Sequence, residues 1–91
     1  LGILPEGWQA FFYRTSAGAE IDLLLLDDQN KPIAIEIKYS AGARASRGFW
    51  NAFEDLSCTR GFVIYAGEEF YPITKNVYAL PLKDMEMIVR R

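Results

Sequence analysis

Residues 33 to 39, IAIEIKY, alternate between isoleucine and other residues with a period of two. Such alternation is typical of a β-strand with one apolar face, because successive side chains of a strand point to opposite faces of the sheet. The preceding residues 19 to 27, AEIDLLLLD, are also strongly apolar, and the polar segment DDQNKP joins the two runs. The sequence therefore predicts a β-hairpin over residues 21–38 whose two strands are apolar except at Asp22, Glu36 and Lys38.

The period of the apolar residues changes after this hairpin. Phe49, Phe53 and Leu56 recur at helical spacing between about residues 44 and 57, which predicts an amphipathic helix. Further strands are predicted at residues 8–15, 60–67 and 76–82, with residues 68–75 as a connection and residues 83–91 as a short helix or a frayed end. The last strand is expected at a sheet edge, because Pro81 has no N–H group to donate to a ladder.

The predicted order of elements is β-β-β-α-β-β. The helix then forms a crossover between the third and fourth strands, and such connections are right-handed and join parallel strands. The expected fold is α/β, with a mixed sheet and a helical layer on at least one face. With 91 residues and a hydrophobic content of 51%, the chain 1–91 is expected to form a single domain.

The composition excludes several classes of site. The chain has no histidine and a single cysteine, Cys58, which excludes Cys/His zinc sites and nucleophilic sites with a histidine base. An unpaired cysteine is typical of a reducing compartment, so we expect a cytoplasmic protein. No apolar run approaches the roughly 20 residues of a membrane span, so no membrane partner is expected. The net charge of −2 argues against strong nucleic-acid binding through bulk electrostatics, although a local basic patch would be compatible with it.

The register of the hairpin decides which face carries its charges. A turn centred on Gln29 gives these cross-strand pairs: Leu24 with Ala34, Asp22 with Glu36, and Glu20 with Lys38. Alternation then places four charged residues on one face: Glu20, Asp22, Glu36 and Lys38. It places the apolar set on the other face: Ile21, Leu23, Ile35 and Ile37.

Two carboxylates directly opposite each other destabilise a hairpin. Asp22 and Glu36 would lie roughly 5 Å apart, so the pair needs a divalent cation, a proton on one carboxyl group, or a nearby cation. Lys38 is one candidate for that cation. Arg14 is the other, because a three-residue SAG loop would put Arg14 opposite Glu20 on the same face.

A hard cation such as Mg²⁺ prefers oxygen ligands and commonly uses one or two carboxylates. Asp22, Glu36 and the backbone carbonyl of Ile37 could supply these ligands. Lys38 could then orient a water molecule or stabilise charge that develops on a phosphate, as phosphodiester hydrolysis requires. The alternative is a solvated strand face with ion pairs worth about 0–1 kcal/mol each.

The charged pattern resembles that of a known superfamily. Asp22 on one strand is followed fourteen positions later by the triplet EIK on the next strand, and then by a helix. This pattern resembles the PD-(D/E)XK nuclease superfamily. The blocks FYRTSAGAEIDLLLL, PIAIEIKYS, GFVIYAGE and VYALPL are more closely similar to the nuclease-like C-terminal domain, of uncharacterised function, of prokaryotic AAA-family ATPases. The resemblance covers nearly the whole chain.

The resemblance implies a restriction-endonuclease-like α/β core that acts on DNA. It implies that Asp22 and Glu36 are ligands of Mg²⁺ or Mn²⁺ and that Lys38 is the catalytic lysine; Glu20 has no place in the minimal triplet. The start of the chain, LGILPEGW, has no initiator Met, which leads us to expect a C-terminal fragment of a longer ATPase chain. The 91 residues contain no Gly-rich phosphate loop, so the ATPase domain would be another part of that parent chain.

A few other residues are candidates for binding. Arg44 and Arg47, near the start of the predicted helix, could contact phosphates, although surface arginines are common. Tyr39 and Ser40 directly follow the EIK triplet and could line the same cleft. Three aromatic residues are assigned to the core rather than to base stacking: Phe49, Trp50 and Phe53. Three functions stay open: a metal-dependent nuclease, a non-catalytic regulatory or partner-docking module, and a structural domain with a charged strand face.

Overall fold

The computed structural model describes residues 4–89, in which one mixed β-sheet packs against a helix. The strands and the α-helix of this range are β1 (Gln9–Arg14), β2 (Glu20–Leu26), β3 (Pro32–Ile37), α1 (Arg47–Asp55), β4 (Arg60–Tyr65), β5 (Tyr71–Pro72) and β6 (Val77–Pro81). A 3₁₀ segment, Leu82–Val89, follows β6. None of the helices in residues 4–89 is long and apolar enough to cross a membrane.

The strand order across the sheet is β1-β2-β3-β4-β6-β5. The pairs β1–β2 and β2–β3 are antiparallel, as expected for strands joined by short turns. The pairs β3–β4 and β4–β6 are parallel, and α1 connects β3 to β4. The predicted α/β class, the mixed sheet and the helical crossover between the third and fourth strands are confirmed.

The apolar side chains of the sheet divide into two clusters. Beside α1, the strand residues Ile21, Leu24 and Ala34 pack with Phe49 and Ala52 of the helix. The second cluster contains Trp8, Leu25, Ile33, Ile35, Phe62, Ile64, Leu80 and Ile88. The division follows from the alternation in β3, since its isoleucines belong to the second cluster and the alanine between them to the first.

Aromatic rings of α1 reach the backbone of β4 at Gly61, which has no side chain. A Cβ atom built at Gly61 would lie 3.0 Å from Phe49 Cζ and 3.1 Å from Phe53 Cε2. Trp50 packs edge-on against Phe49, with the ring centroids 5.2 Å apart. Phe49 is fully buried, and both Phe53 and Trp50 pack against its cluster. The assignment of these three aromatic residues to the core is confirmed.

The C-terminal part of the sheet differs from the prediction. The last long strand, β6, lies between β4 and β5 rather than at an edge. β5 comes from the segment expected to be a connection, and it pairs only with Tyr78 and Ala79. Pro81 lies beyond this short pairing, so its missing N–H group removes no bond to β5. The tail is 3₁₀-helical as far as Val89, and the last two residues of the predicted tail lie outside the described residues.

Cys58 is buried just after α1, and its N–H group donates to the Phe53 carbonyl at 3.0 Å. Burial raises the pKa of the Cys58 thiol from its usual 9.0 to about 11. The thiolate population near pH 8 is then about a hundredfold lower than that of an exposed cysteine.

We expect iodoacetamide to modify Cys58 at least roughly tenfold more slowly in the folded chain than in denaturant. Equal rates under both conditions, measured by mass spectrometry, would contradict this prediction.

Candidate functional site

A β-bulge lies at the predicted site. The β1–β2 ladder shifts by one residue, so that Asp22 and Leu23 of β2 together face the single residue Phe12 of β1. A bulge re-aims side chains and interrupts the two-residue alternation of a strand. As a result, Ile21 packs with Leu24 in the cluster beside α1, whereas Leu23 packs against the other cluster. The prediction that Ile21 and Leu23 share a face is wrong, because apolar alternation does not reveal a bulge.

The carboxylate of Asp22 is anchored on the end of β3. The predicted hairpin register is confirmed where the strands pair, with Leu24 opposite Ala34, but the ladder ends at Leu23 and Ile35, before the predicted pairs of Asp22 with Glu36 and Glu20 with Lys38. Beyond the ladder, Asp22 Oδ2 accepts a hydrogen bond from the Ile37 N–H group at 2.7 Å. Asp22 is exposed, and its Oδ1 atom has no hydrogen-bond donor among the described residues. One oxygen of this carboxylate is therefore fixed in place, and the other has no hydrogen-bond partner within residues 4–89.

Glu36 is only 6% exposed, and no other charged residue within residues 4–89 is buried. Its Oε1 atom accepts a hydrogen bond from the Ser46 hydroxyl at 2.9 Å, and the Ser46 N–H group lies 3.3 Å from both carboxylate oxygens. The Lys38 Nζ atom lies 2.9 Å from Glu36 Oε2. Both carboxylate oxygens therefore have partners, as the burial of a charge requires.

Ser46 connects Glu36 to the first turn of α1. As the N-cap residue, it accepts a hydrogen bond from the Phe49 N–H group at 3.1 Å through the same hydroxyl that donates to Glu36. The carboxylate thus lies at the N-terminal end of α1, where the helix dipole favours negative charge. Sequence reasoning missed Ser46. A serine just before an apolar helical stripe is a helix-start signal, and it would have pointed to this residue.

The ion pairs agree only in part with those predicted. Arg14 lies opposite Glu20, and the Thr15 N–H group donates to the Ala19 carbonyl at 2.9 Å, which leaves the predicted three-residue loop. Arg14 Nη2 is 2.8 Å from Glu20 Oε2, which confirms that pairing. The predicted pairing of Glu20 with Lys38 does not form in the described part of the chain, where Lys38 contacts Glu36 instead. A buried carboxylate without a cation costs far more free energy than an exposed one, so the lysine neutralises Glu36.

A cavity of about 460 Å³ opens beside Asp22. The residues that line it are Phe12, Tyr13, Arg14, Glu20, Ile21, Asp22, Ile37 and Tyr39. Five of them were predicted site residues: Arg14, Glu20, Asp22, Ile37 and Tyr39. Glu36 and Lys38 are not part of this lining. The predicted site residues therefore fall into two groups: an exposed group that lines the cavity beside Asp22, and a more buried group that consists of Glu36 and Lys38.

A second cleft, of about 400 Å³, lies at the start of α1. It is lined by Arg44, Ala45, Arg47, Trp50 and Ile73. Both arginines are exposed, and neither forms an ion pair within residues 4–89. Ser40 lines neither cavity; its hydroxyl donates to the Gly42 carbonyl at 3.3 Å, and its own carbonyl accepts from the Ala66 N–H group at 3.0 Å. The two predicted arginines therefore line the same cleft, whereas the hydrogen bonds of Ser40 hold the loop that follows β3.

The chemistry of the donors suits a hard divalent cation. Among the described residues, no three Asp, Glu, His or Cys side chains are grouped so that they could hold a metal ion. Mg²⁺, however, keeps several waters and commonly needs only one or two carboxylates. Asp22 offers an oxygen without a partner among the described residues. The Oε2 atom of Glu36 contacts Lys38, whose side chain is 33% exposed. The oxygen donors are therefore of the chemical type that Mg²⁺ binds, but the described residues do not group three of them into a metal site.

The comparison with protein families covers most of the chain. Residues 4–85 match the family described as "Domain of unknown function (DUF4143)". The chain belongs to the DUF4143 family. The elements that build the site, from β2 to the start of α1, lie inside the region that matches the family.

Two mycobacterial proteins are similar to this DUF4143 domain. They are the uncharacterized proteins Mb2031c of Mycobacterium bovis and Rv2008c of Mycobacterium tuberculosis, each 32% identical to it over 71 residues. The match covers 78% of this chain but 16% of each relative, so the chain spans less than a fifth of the length of these relatives. No solved structure matches the chain.

Proposed function

We propose that this DUF4143 domain is a nuclease-like module of a longer prokaryotic AAA-type ATPase chain, and that it hydrolyses phosphodiester bonds of DNA with the help of a metal ion. Two observations carry the proposal: Lys38 contacts Glu36 at 2.9 Å, and Asp22 is anchored on the N–H group of Ile37, the residue between them in the chain. In sequence, these residues resemble the acidic residue and the E-x-K triplet of the PD-(D/E)XK pattern. An antiparallel hairpin followed by a helical crossover into parallel strands supports a restriction-endonuclease-like core.

Asp22 and Glu36 would hold the metal ion, Mg²⁺ or Mn²⁺. When bound there, it would polarise the phosphodiester and neutralise the negative charge that develops on it. Asp22 can serve as a ligand without rearrangement of its anchored oxygen, because its Oδ1 atom has no partner in the described part of the chain. Ser46 orients the Glu36 carboxylate through its hydroxyl and its N–H group. Two elements, β3 and α1, therefore fix the position of Glu36.

Lys38 is the residue best placed to act on the phosphate. Its side chain is 33% exposed, so the ammonium group reaches both the buried Glu36 carboxylate and solvent. In that position it stabilises the charge of the reacting phosphate or orients the attacking water. Arg44 and Arg47 supply two cations without ion-pair partners in residues 4–89, and these bind the phosphates of the strand beside the site.

The decisive experiment combines metal binding with cleavage. We expect millimolar Mg²⁺ or Mn²⁺ to raise the melting temperature of the wild-type chain, because an ion that binds only the folded state stabilises it. The Asp22→Asn variant should lose this shift. We expect Lys38→Ala to reduce metal-dependent cleavage of DNA by about a hundredfold or more. Lys75→Ala, an exposed lysine outside the site, is the matched control and should cleave like the wild type.

One structural observation favours a second candidate function. Both oxygens of Glu36 already have protein partners, and the described residues contain no group of three potential metal ligands. This arrangement would suit a nuclease-fold module that no longer cleaves and instead regulates the ATPase or docks a partner. Under this alternative the melting temperature does not respond to metal. The background cleavage by wild type and Lys38→Ala would then be equal, which contradicts the catalytic proposal.

A further inference from the structure

Two aromatic side chains at the site are unusually exposed. Tyr39 is 93% exposed and Phe12 is 89% exposed, more than any other large hydrophobic residue in residues 4–89. Both line the cavity beside Asp22. Phe12 belongs to the edge strand β1 and faces the bulge, whereas Tyr39 follows the end of β3. Two separate parts of the chain therefore bring an aromatic ring to the same cavity.

These two rings contribute little to the core. Phe12 and Tyr39 belong to neither apolar cluster, and neither stacks on another aromatic ring within the described residues. An aromatic face in water gains free energy when a flat apolar group covers it. Since the fold does not cover these faces, a ligand that stacks on them is the simplest reason for their position.

The charges around the cavity favour stacking over phosphate binding. Arg14 is the cation in the lining, and it is already paired with Glu20 at 2.8 Å. Glu20 and Asp22 leave the lining with two negative charges against one positive charge. A ligand bound mainly through its phosphates would need unpaired cations. A base held by its faces needs none, and its N–H groups could donate to these carboxylates.

We propose that this cavity binds unpaired nucleotides, with bases stacked on Phe12 and Tyr39 beside Asp22. The proposal rests on the nuclease-like function proposed above and names single-stranded nucleic acid as its substrate class. In a duplex, the bases stack on one another and present only their edges to a protein. Unpaired bases offer their faces, which aromatic side chains bind with little preference for sequence.

The test measures binding without cleavage. Fluorescence anisotropy of a labelled single-stranded oligonucleotide of about 12 nucleotides, in EDTA, reports binding apart from any metal-dependent step. We expect Phe12→Ala and Tyr39→Ala each to weaken this binding about tenfold, and a duplex of the same length to bind more weakly than the single strand. Phe70→Ala is the matched control, because Phe70 is an exposed aromatic residue that lines a different cavity. Thermal melting checks that the variants are folded.

The outcomes separate this inference from the proposed hydrolysis. If cleavage depends on Lys38 but binding is unchanged in Phe12→Ala and Tyr39→Ala, the stacking proposal is overturned and the hydrolysis proposal stands. If binding is weakened in both variants but cleavage is absent, the hydrolysis proposal fails and the binding site stands. Loss of self-association in Phe12→Ala, seen by light scattering and without any binding of the oligonucleotide, would show that a second copy covers these rings and would overturn the inference.

Discussion

Replacement of Phe49 by alanine is expected to lower the free energy of unfolding by about 3–5 kcal/mol. Phe49 is fully buried, and its ring extends from α1 to the backbone of β4 at Gly61, which has no side chain. The substitution removes the ring and leaves a cavity that the sheet cannot close, because neighbouring core residues are themselves held by the ladder. A chain of this size has a total stability of about 5–14 kcal/mol, so the variant would lose a large fraction of it.

Phe12→Ala is the matched control for this experiment, since it removes the same atoms from a side chain that is 89% exposed. Its free energy of unfolding should stay within about 0.5 kcal/mol of the wild type. Denaturant titration followed by tryptophan fluorescence measures both values, since Trp8 and Trp50 both contact the apolar core. Similar losses of stability in the two variants would mean that the aromatic stripe of α1 is not the centre of the core.

Replacement of Glu36 by alanine is expected to lower the free energy of unfolding by about 3 kcal/mol. The variant leaves the Ser46 hydroxyl and N–H group without their buried acceptor, and it leaves Lys38 without its partner. Glu36→Gln retains a carbonyl oxygen that can accept from Ser46, so its stability should fall by only about 1 kcal/mol. Under the proposed function, both variants should lose metal-dependent cleavage by about a hundredfold or more, because neither offers a carboxylate to the ion.

The comparison between the two Glu36 variants separates structure from chemistry. Thermal or denaturant unfolding should show Glu36→Gln to be less stable than the wild type, and Glu36→Ala to be less stable still. Cleavage, in contrast, should be lost equally in both variants. If Glu36→Gln is as unstable as Glu36→Ala, the charge of the carboxylate rather than its hydrogen bonds to Ser46 stabilises the fold. If Glu36→Gln still cleaves at the wild-type rate, Glu36 has no part in the reaction.

Local patterns were sufficient to predict most of the architecture. The strict alternation in β3 and the helical stripe of α1 predicted two elements and the parallel crossover between β3 and β4. The register of the β2–β3 hairpin, assumed from a turn centred on Gln29, agrees with the pairing of Leu24 with Ala34, and the Arg14–Glu20 pair followed from the length of the SAG loop. These features depend on neighbours close in sequence, which a pattern can report.

The features that were missed depend on contacts between separate elements. The bulge at Asp22 arises from unequal pairing of β1 and β2, and neither strand shows it in its own pattern. Ser46 acquires its role because the end of β3 meets the start of α1, ten residues later in the chain. The short strand β5 consists of two residues, too few to show any period. Burial of Glu36 likewise follows from the packing of α1 rather than from the alternation in β3.

The shared hydroxyl of Ser46 changes what an acidic residue at position 36 signifies. Because Ser46 caps α1 while it bonds to Glu36, the carboxylate stabilises the start of the helix whether or not it ever meets a metal ion. Under the proposed function, a homologue could therefore retain a glutamate here for stability alone after catalysis has been lost. Asp22 and Lys38 are more exposed and contribute less to the core, so under the proposed function their presence or absence would distinguish an active member of the family from an inactive one.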